Sequence, residues 1–159
     1  IRNARARGAL NQQIWNCERA LSSGWRFFSQ SGQDSWLDTN VFHRKHGGTF
    51  VEIGGYDGIS GSNCLFFELN RGWTGLLVEP SPGLHARAKL ARRCECLHLA
   101  AVKADPRHKG AVIRVSTRPL ADILDAHGLT EIDYISLDVE GGEMAVLSAF
   151  PFEKYRIAA

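Results

Sequence analysis

Strand-like and helix-like patterns of apolar residues alternate along the chain from residue 49 onwards. Short apolar runs bounded by glycine and proline predict strands, and apolar residues at three- and four-residue spacing predict helices. Strands that alternate with helices at this pace predict parallel strands joined by helical crossovers, so we expect a doubly wound α/β sheet. The predicted strands are residues 49–53, 75–78, 96–101, 132–139 and 155–159, and the predicted helices are residues 60–71, 82–92, 119–127 and 142–150.

The region before the first strand has a weaker pattern and is predicted to be helical. Residues 1–28 are predicted to form a helical extension ahead of the main domain, which spans residues 29–159. Within the main domain, Trp36, Leu37 and Val41 follow helical spacing and would form a narrow apolar stripe.

Two features differ from those expected of a complete domain. The last strand begins at Tyr155 and the sequence stops at Ala159, while only a short stretch joins Ala101 to Thr117. Two interpretations are open: the sequence is truncated at its C-terminus, or it is the ordered part of a longer chain that lacks a mobile loop.

Composition and charge narrow the classes of function. The chain has 159 residues, of which 44% are hydrophobic and 23% charged, as is usual for a globular protein. A net charge of +2 gives no support for a nucleic-acid partner. No apolar run approaches the roughly 20 residues that span a bilayer. Cys17, Cys64, Cys94 and Cys96 lack paired zinc spacing, so we expect reduced thiols in a cytoplasmic protein without a membrane partner.

A glycine-rich turn follows the first predicted strand in the stretch TFVEIGGYDGISGSN. Glycine permits tight turns and close approach, and ligands of open parallel sheets bind beyond the carboxyl ends of the strands. A phosphate-binding P-loop is excluded because the stretch lacks lysine. A dinucleotide turn is disfavoured, since its third position is Tyr56 and the acidic Asp57 would repel phosphate. Acidic Glu52 and Asp57 favour a cationic ligand such as S-adenosylmethionine (SAM), which carries an ammonium and a sulfonium.

The second predicted strand ends in an acid that fits the same kind of ligand. Glu79 follows the glycine turn by about twenty residues, where an acid commonly binds the ribose of a nucleotide cofactor. Its two carboxyl oxygens can accept hydrogen bonds from two vicinal hydroxyl groups.

Three stretches together resemble the FkbM-type SAM-dependent methyltransferases: VEIGGYDGISGSN, GWTGLLVEPSP and IDYISLDVEGGEMAVLSAFPF. The preceding SQSGQD is similar to the lead-in segment of that family. The resemblance covers residues 29–101 and 117–157. It implies a Rossmann-like fold, SAM as the methyl donor, and O-methylation of a hydroxyl group on a sugar or another small molecule.

The resemblance also implies a cofactor site along these motifs. Glu79 corresponds to the ribose acid, Ala100 and Ala101 to the segment that contacts adenine, and Asp138 to the strand end at the methyl-transfer centre. The full predicted cofactor-binding set is Gln33, Glu52, Gly54, Gly55, Tyr56, Asp57, Gly58, Asn63, Glu79, Pro80, Ala100, Ala101 and Asp138.

Two acids at the end of the strand over residues 132–139 are the predicted catalytic residues. Alternation puts Asp138 and Glu140 on one face if the extended geometry continues to Glu140. A carboxylate there could accept the proton of an acceptor hydroxyl or orient that hydroxyl. The alternative is that Asp138 caps the next turn and Glu140 is solvated. We predict that no metal is required. The alternative is that these two acids bind a divalent ion.

The lead-in segment SQSGQD has two interpretations. Gln30, Gln33 and Asp34 either cover the cofactor and line the acceptor entrance, or they begin a helix that Asp34 caps.

The leading functional hypothesis is therefore a SAM-dependent methyltransferase acting on a hydroxylated small molecule. The second is a catalytically incomplete SAM-binding or interaction module. The third is an NAD-dependent oxidoreductase, against which Tyr56 argues.

Overall fold

A computed structural model of the chain describes residues 27–101 and 115–159. The extension predicted for residues 1–28 and the linking stretch 102–114 lie largely or wholly outside the described residues. In chain order the elements are α1 (Gln33–Asn40), β1 (Thr49–Ile53), α2 (Leu65–Arg71), β2 (Thr74–Val78), α3 (Pro82–Ala91), β3 (Glu95–Leu97), α4 (Leu120–Ala126), β4 (Glu131–Ile132), β5 (Tyr134–Leu137), α5 (Glu143–Ser148), a short 3₁₀ helix (Phe152–Lys154) and β6 (Arg156–Ile157).

The central sheet has four parallel strands in the order β3-β2-β1-β5. The chain winds from β1 outwards to β3 on one side and returns to place β5 on the other side of β1. Strand order therefore reverses between β1 and β5, which is where open α/β sheets bind ligands at their carboxyl ends. This architecture confirms the predicted α/β fold with a mainly parallel, Rossmann-like sheet.

Helices cover both faces of this sheet. Alternation along β1 turns Phe50 towards α2, and Val51 and Ile53 towards α4 and α5. Because both faces are covered, β1 is buried on both sides, as is usual for a parallel strand. The core on the α2 face contains Phe42, Phe50, Cys64, Phe66, Phe67, Trp73 and Tyr134. The core on the opposite face includes Val51, Ile53, Leu76, Val78, Leu120, Ile123, Leu124 and Val146.

The strand predicted over residues 132–139 is divided in two and ends at Leu137. The break falls at Asp133, whose carboxylate accepts hydrogen bonds from the Thr49 amide at 2.9 Å and the Lys45 ammonium at 2.6 Å. The first part, β4, pairs in parallel with β6. A last strand is thus confirmed in a shorter form than predicted.

Other boundaries also differ from the sequence-based expectation. The helix predicted from residue 60 begins at Leu65, because residues before it form a separate turn. The strand predicted over residues 96–101 is β3, which ends at Leu97. The helix α1 ends at Asn40, one residue before Val41 of the predicted stripe, and positive φ angles at His43 and Arg44 turn the chain away from it.

Two apolar side chains that fit helical spacing are exposed. Trp36 has 60% of its surface in solvent, so the stripe predicted on α1 is wrong at this position. Leu69, which fits the helical spacing of α2, is 43% exposed. The buried face of α2 instead includes Glu68 and Arg71, because both side chains form ion pairs inside the fold. Among the described residues, no helix is long and apolar enough to span a bilayer.

Candidate functional site

The glycine turn after β1 is packed against the chain itself. A Cβ atom on Gly54, whose φ is 83°, would lie 1.7 Å from the carbonyl oxygen of Asp138. A Cβ on Gly55 would lie 2.3 Å from Leu77 Cγ, and one on Gly58 would lie 2.9 Å from Ala88. The sequence suggested that these glycines leave space for a ligand, but the structure fills that space with protein. Gly54 brings the end of β1 against the end of β5, while Gly55 allows close packing on β2 and Gly58 on α3.

The amide groups of this turn are already used within the protein. Asp57 accepts hydrogen bonds at Oδ1 from the amides of Ile59 and Ser60, so it closes a local turn. Desolvation acts to raise the pKa of Asp57, but these hydrogen bonds lower it overall. A pyrophosphate needs bare amides, so this turn does not suit a dinucleotide. The other engaged amides are those of Gly54 and Gly55, which donate to Val78, of Tyr56, which donates to Glu79, and of Gly58, which donates to Gly55.

Glu52, predicted to contact the cofactor, is buried as an internal anchor of the turn. Its carboxylate accepts hydrogen bonds from Ser62 Oγ at 2.8 Å and the Asn63 amide at 2.9 Å. Arg92 Nη1 donates to its other oxygen at 2.6 Å. All these contacts lie within the fold, so the structure gives Glu52 a structural role.

Arg92 is the centre of a buried ion network that the sequence did not indicate. Its fully buried side chain pairs with Glu52 and, through Nε at 2.9 Å, with Glu68 of α2. Nη1 also reaches the Gly58 carbonyl at 3.3 Å. Desolvation acts to lower the pKa of Arg92, and the two carboxylates overcome it and raise that pKa. The network joins the end of α3 to β1, α2 and the glycine turn.

Glu79 lies at the carboxyl end of β2, where the sequence predicted the ribose acid. The side chain is buried, and its two oxygens accept hydrogen bonds from the Tyr56 amide at 2.9 Å and the Ser81 amide at 2.7 Å. Burial raises the pKa of Glu79, and these two hydrogen bonds oppose the rise. Each carboxyl oxygen retains a lone pair, because a carboxylate can accept about four hydrogen bonds in all.

Asn63 supplies a buried acceptor near the same turn. Its Nδ2 donates to Ser136 Oγ of β5 at 2.9 Å, which fixes the side-chain amide. Its Oδ1 is buried and has no hydrogen-bond partner within the described residues. A buried acceptor without a partner costs about 1–3 kcal/mol, so this atom suits a ligand donor such as an ammonium or a bound water.

Asp138 and Glu140 follow β5 at the same edge of the sheet. The amide of Asp138 donates to the Ile53 carbonyl at 2.9 Å, so this residue lies directly beside the end of β1. The carboxylate of Asp138 is exposed and accepts no hydrogen bond from the part of the chain that is described. Glu140 has a φ of 55°, so the extended geometry on which the same-face prediction depended ends before this residue.

The turn after β5 is capped by Glu143. Its Oε1 accepts hydrogen bonds from the Val139 amide at 3.0 Å and the Gly141 amide at 3.2 Å, which lower the pKa of Glu143 together with its own amide. Because Glu143 fills the capping role, Asp138 is not needed for it.

The other residues predicted to contact the cofactor lie partly at the carboxyl edge of the sheet and partly in the hydrophobic core. Pro80 is half-buried next to Glu79. Ala100 uses its amide and carbonyl to pair with Ser116 and Arg118. Ala101 packs in the core on the α4 face. The structure therefore does not bring Ala100 and Ala101 to Glu79 through side-chain contacts.

The lead-in segment lies against the glycine turn, but Asp34 is neither part of a lid nor a simple cap. Asp34 is buried and accepts hydrogen bonds from the Phe28 amide and from Ser29. Ser29 forms a parallel bridge with Gly61, and Gln30 packs over the same glycine. Gln33 is exposed and accepts from the Ser31 amide.

No group of three or more potential metal ligands occurs in residues 27–101 and 115–159. The prediction that no metal is required is untested by this observation.

The parallel sheet with reversed strand order, the turn after β1 and the buried acid after β2 are features of a Rossmann-like α/β fold. Residues 98–158, which include β5, Asp138 and Glu140, match the family model of the methyltransferase FkbM domain. This match confirms, for that part of the chain, the resemblance to the FkbM-type methyltransferases found in the sequence. Searches of curated proteins and of solved structures give no match.

Proposed function

We propose that the protein is a methyltransferase that uses SAM and methylates a hydroxyl group of a sugar or another small molecule. The observation that carries the proposal is Glu79, a buried carboxylate at the carboxyl end of β2 with an oriented pair of oxygens. It lies next to the strand β1, where the sheet reverses its order. An acid at this place can accept hydrogen bonds from both hydroxyl groups of a cofactor ribose.

The residues present fit the chemical groups of SAM. Glu79 would hold the two ribose hydroxyls, and the buried Oδ1 of Asn63 would accept from the ammonium. Exposed acids at the edge, including Asp138, suit a ligand with a sulfonium. The engaged amides of the glycine turn make NAD a poorer fit, because no pyrophosphate cradle is left.

Asp138 is the residue that we assign to the methyl-transfer step. SAM supplies an electrophilic methyl group bonded to a positively charged sulfur. Asp138 would orient the acceptor hydroxyl and take its proton as the oxygen accepts the methyl group, and S-adenosylhomocysteine would be the leaving product. Alignment of the two reactants at the closely packed ends of β1 and β5 would supply much of the acceleration.

Replacing Glu79 with alanine is expected to weaken binding of S-adenosylhomocysteine about tenfold to 150-fold. The variant loses a charge-assisted acceptor, which typically costs about 1.5–3 kcal/mol. Calorimetric titration measures the change, with Glu153→Ala as the control because Glu153 is an exposed acid on the 3₁₀ helix. Unchanged affinity in a folded Glu79→Ala protein would remove Glu79 from the site.

Ionisation of Glu79 gives this prediction a pH dependence. Binding requires the carboxylate form, and burial raises the pKa of Glu79. Affinity is therefore expected to be full at pH above that raised pKa and to decline as the pH falls through it. The decline should disappear in Glu79→Gln, which cannot ionise.

The acceptor class is tested by incubating the protein with methyl-labelled SAM and a pool of hydroxylated metabolites. Mass spectrometry should detect a labelled ether product. If the label is found only on nitrogen or carbon atoms, O-methylation is contradicted while the methyltransferase assignment stands. Binding of SAM with no transfer to any acceptor would favour a catalytically incomplete module.

A further inference from the structure

Two histidines next to Glu79 form a stacked pair that none of the predicted roles includes. His85 lies in the first part of α3, and His98 follows β3. Their ring centroids are 5.1 Å apart and their planes differ by 22°. His98 lies beside Pro80, the residue after Glu79, and His85 stacks on His98, so both rings lie near the carboxyl end of β2.

Hydrogen bonds to backbone carbonyl groups fix the orientation of both rings. His85 Nε2 lies 3.0 Å from the carbonyl oxygen of Cys96, and His98 Nε2 lies 3.0 Å from that of Pro80. Because a carbonyl oxygen can only accept, each Nε2 carries a hydrogen and donates it. The His98 ring is therefore held beside Pro80, directly after Glu79.

The His98 ring has an accessible surface at the carboxyl edge of the sheet. The residue is exposed although one face of its ring packs against His85. A hydrogen bond fixes the ring, and His85 packs against one of its faces. The other face is accessible and is suited to stack on another flat ring. The base of a nucleoside whose ribose is held by Glu79 must lie within one sugar ring of that residue.

We propose that His98, supported by His85, stacks against the base of the cofactor and thereby selects an aromatic nucleoside. The inference rests on the proposed function, since it requires a nucleoside cofactor whose ribose contacts Glu79. In this proposal His98 contacts the base in place of Ala100 and Ala101. The backbone of Ala100 is hydrogen-bonded to Ser116 and Arg118, and the side chain of Ala101 packs in the core.

Two substitutions of His98 separate stacking from a purely structural role. His98→Ala removes both the ring and the hydrogen bond to Pro80, whereas His98→Phe removes only the hydrogen bond. Calorimetry with S-adenosylhomocysteine should show roughly fivefold to 150-fold weaker binding for His98→Ala, the range found for loss of a base–aromatic stack. His98→Phe should stay within about threefold of the wild type, because phenylalanine also offers a flat face.

His43→Ala is the matched control, since His43 is an exposed histidine in the turn after α1. Equal losses in His98→Ala and His98→Phe would assign the effect to the Pro80 hydrogen bond and overturn the proposal. Wild-type affinity in His98→Ala would also overturn it. Failure of the wild-type protein to bind S-adenosylhomocysteine at all would instead reject the proposed cofactor. Thermal melting of each variant confirms that the titrated protein is folded. If His98→Ala does not fold, the test rests on His98→Phe, and weak binding by that variant overturns the proposal.

Discussion

Replacing Arg92 with alanine is expected to lower the free energy of unfolding by about 3–5 kcal/mol. The substitution leaves Glu52 and Glu68 buried without the cation that now lies 2.6 Å and 2.9 Å from them. Removing one partner of a buried ion network is costly because the remaining charges cannot return to water. Chemical denaturation followed by circular dichroism measures the change.

Arg93→Ala is the matched control for this experiment. Arg93 is the next residue in the sequence, and its side chain is exposed, although its amide donates to Glu68 at 2.6 Å. The alanine variant keeps that amide, so its stability should lie within about 0.5 kcal/mol of the wild type. Equal stability of Arg92→Ala and Arg93→Ala would show that the buried network contributes little.

The second large effect is expected from Asp138→Asn, which should reduce turnover roughly a hundredfold or more while SAM affinity changes little. Asparagine keeps the shape of the side chain and removes its ability to take a proton. The exposed carboxylate of Asp138, next to the end of β1, is the group that we assign to this step. Steady-state turnover with the identified acceptor, together with calorimetry for SAM, separates chemistry from binding.

Two further variants show whether the loss is specific to Asp138. Glu140→Gln tests the second predicted acid, and we expect a smaller loss because the turn at Glu140 redirects the chain. Asp122→Asn changes an exposed acid on α4 and should have wild-type turnover. Wild-type turnover in Asp138→Asn would mean that the proton goes to another group.

Local patterns were sufficient to predict the central strands. The bounds of β1 are those predicted, because a short run containing Phe50, Val51 and Ile53 and flanked by glycines has one simple interpretation in an α/β chain. The position of Glu79 could be predicted in the same way, because the end of β2 fixes the place of the residue that follows it. The order of strands in the sheet then places Glu79 and Asp138 on the same edge.

Contacts between distant residues were not predictable from those patterns. Arg92 meets Glu68 across 24 positions and Glu52 across 40, so no local spacing signals the pair. The break at Asp133 depends on Thr49, which lies 84 positions earlier. The glycines were assigned to a ligand for the same reason, because the sequence does not show that Asp138 fills the space at Gly54.

The roles of the acids also depended on contacts that a single sequence does not reveal. Glu52 and Asp57 both lie in the turn and both fit a cationic ligand by type. The structure uses the first in the ion network and the second in a local turn. Of these acids, Glu79 and Asp138 have carboxylate oxygens that can still accept hydrogen bonds from a ligand.

Calorimetric titration of the wild-type protein with S-adenosylhomocysteine and, separately, with NAD is the most direct test of the SAM site. The arrangement of Glu79, Asn63 and the engaged glycine turn predicts saturable binding of one S-adenosylhomocysteine per chain, with no measurable binding of NAD at the same concentrations. Tighter binding of NAD, or no binding of S-adenosylhomocysteine by protein shown to be folded, would contradict it.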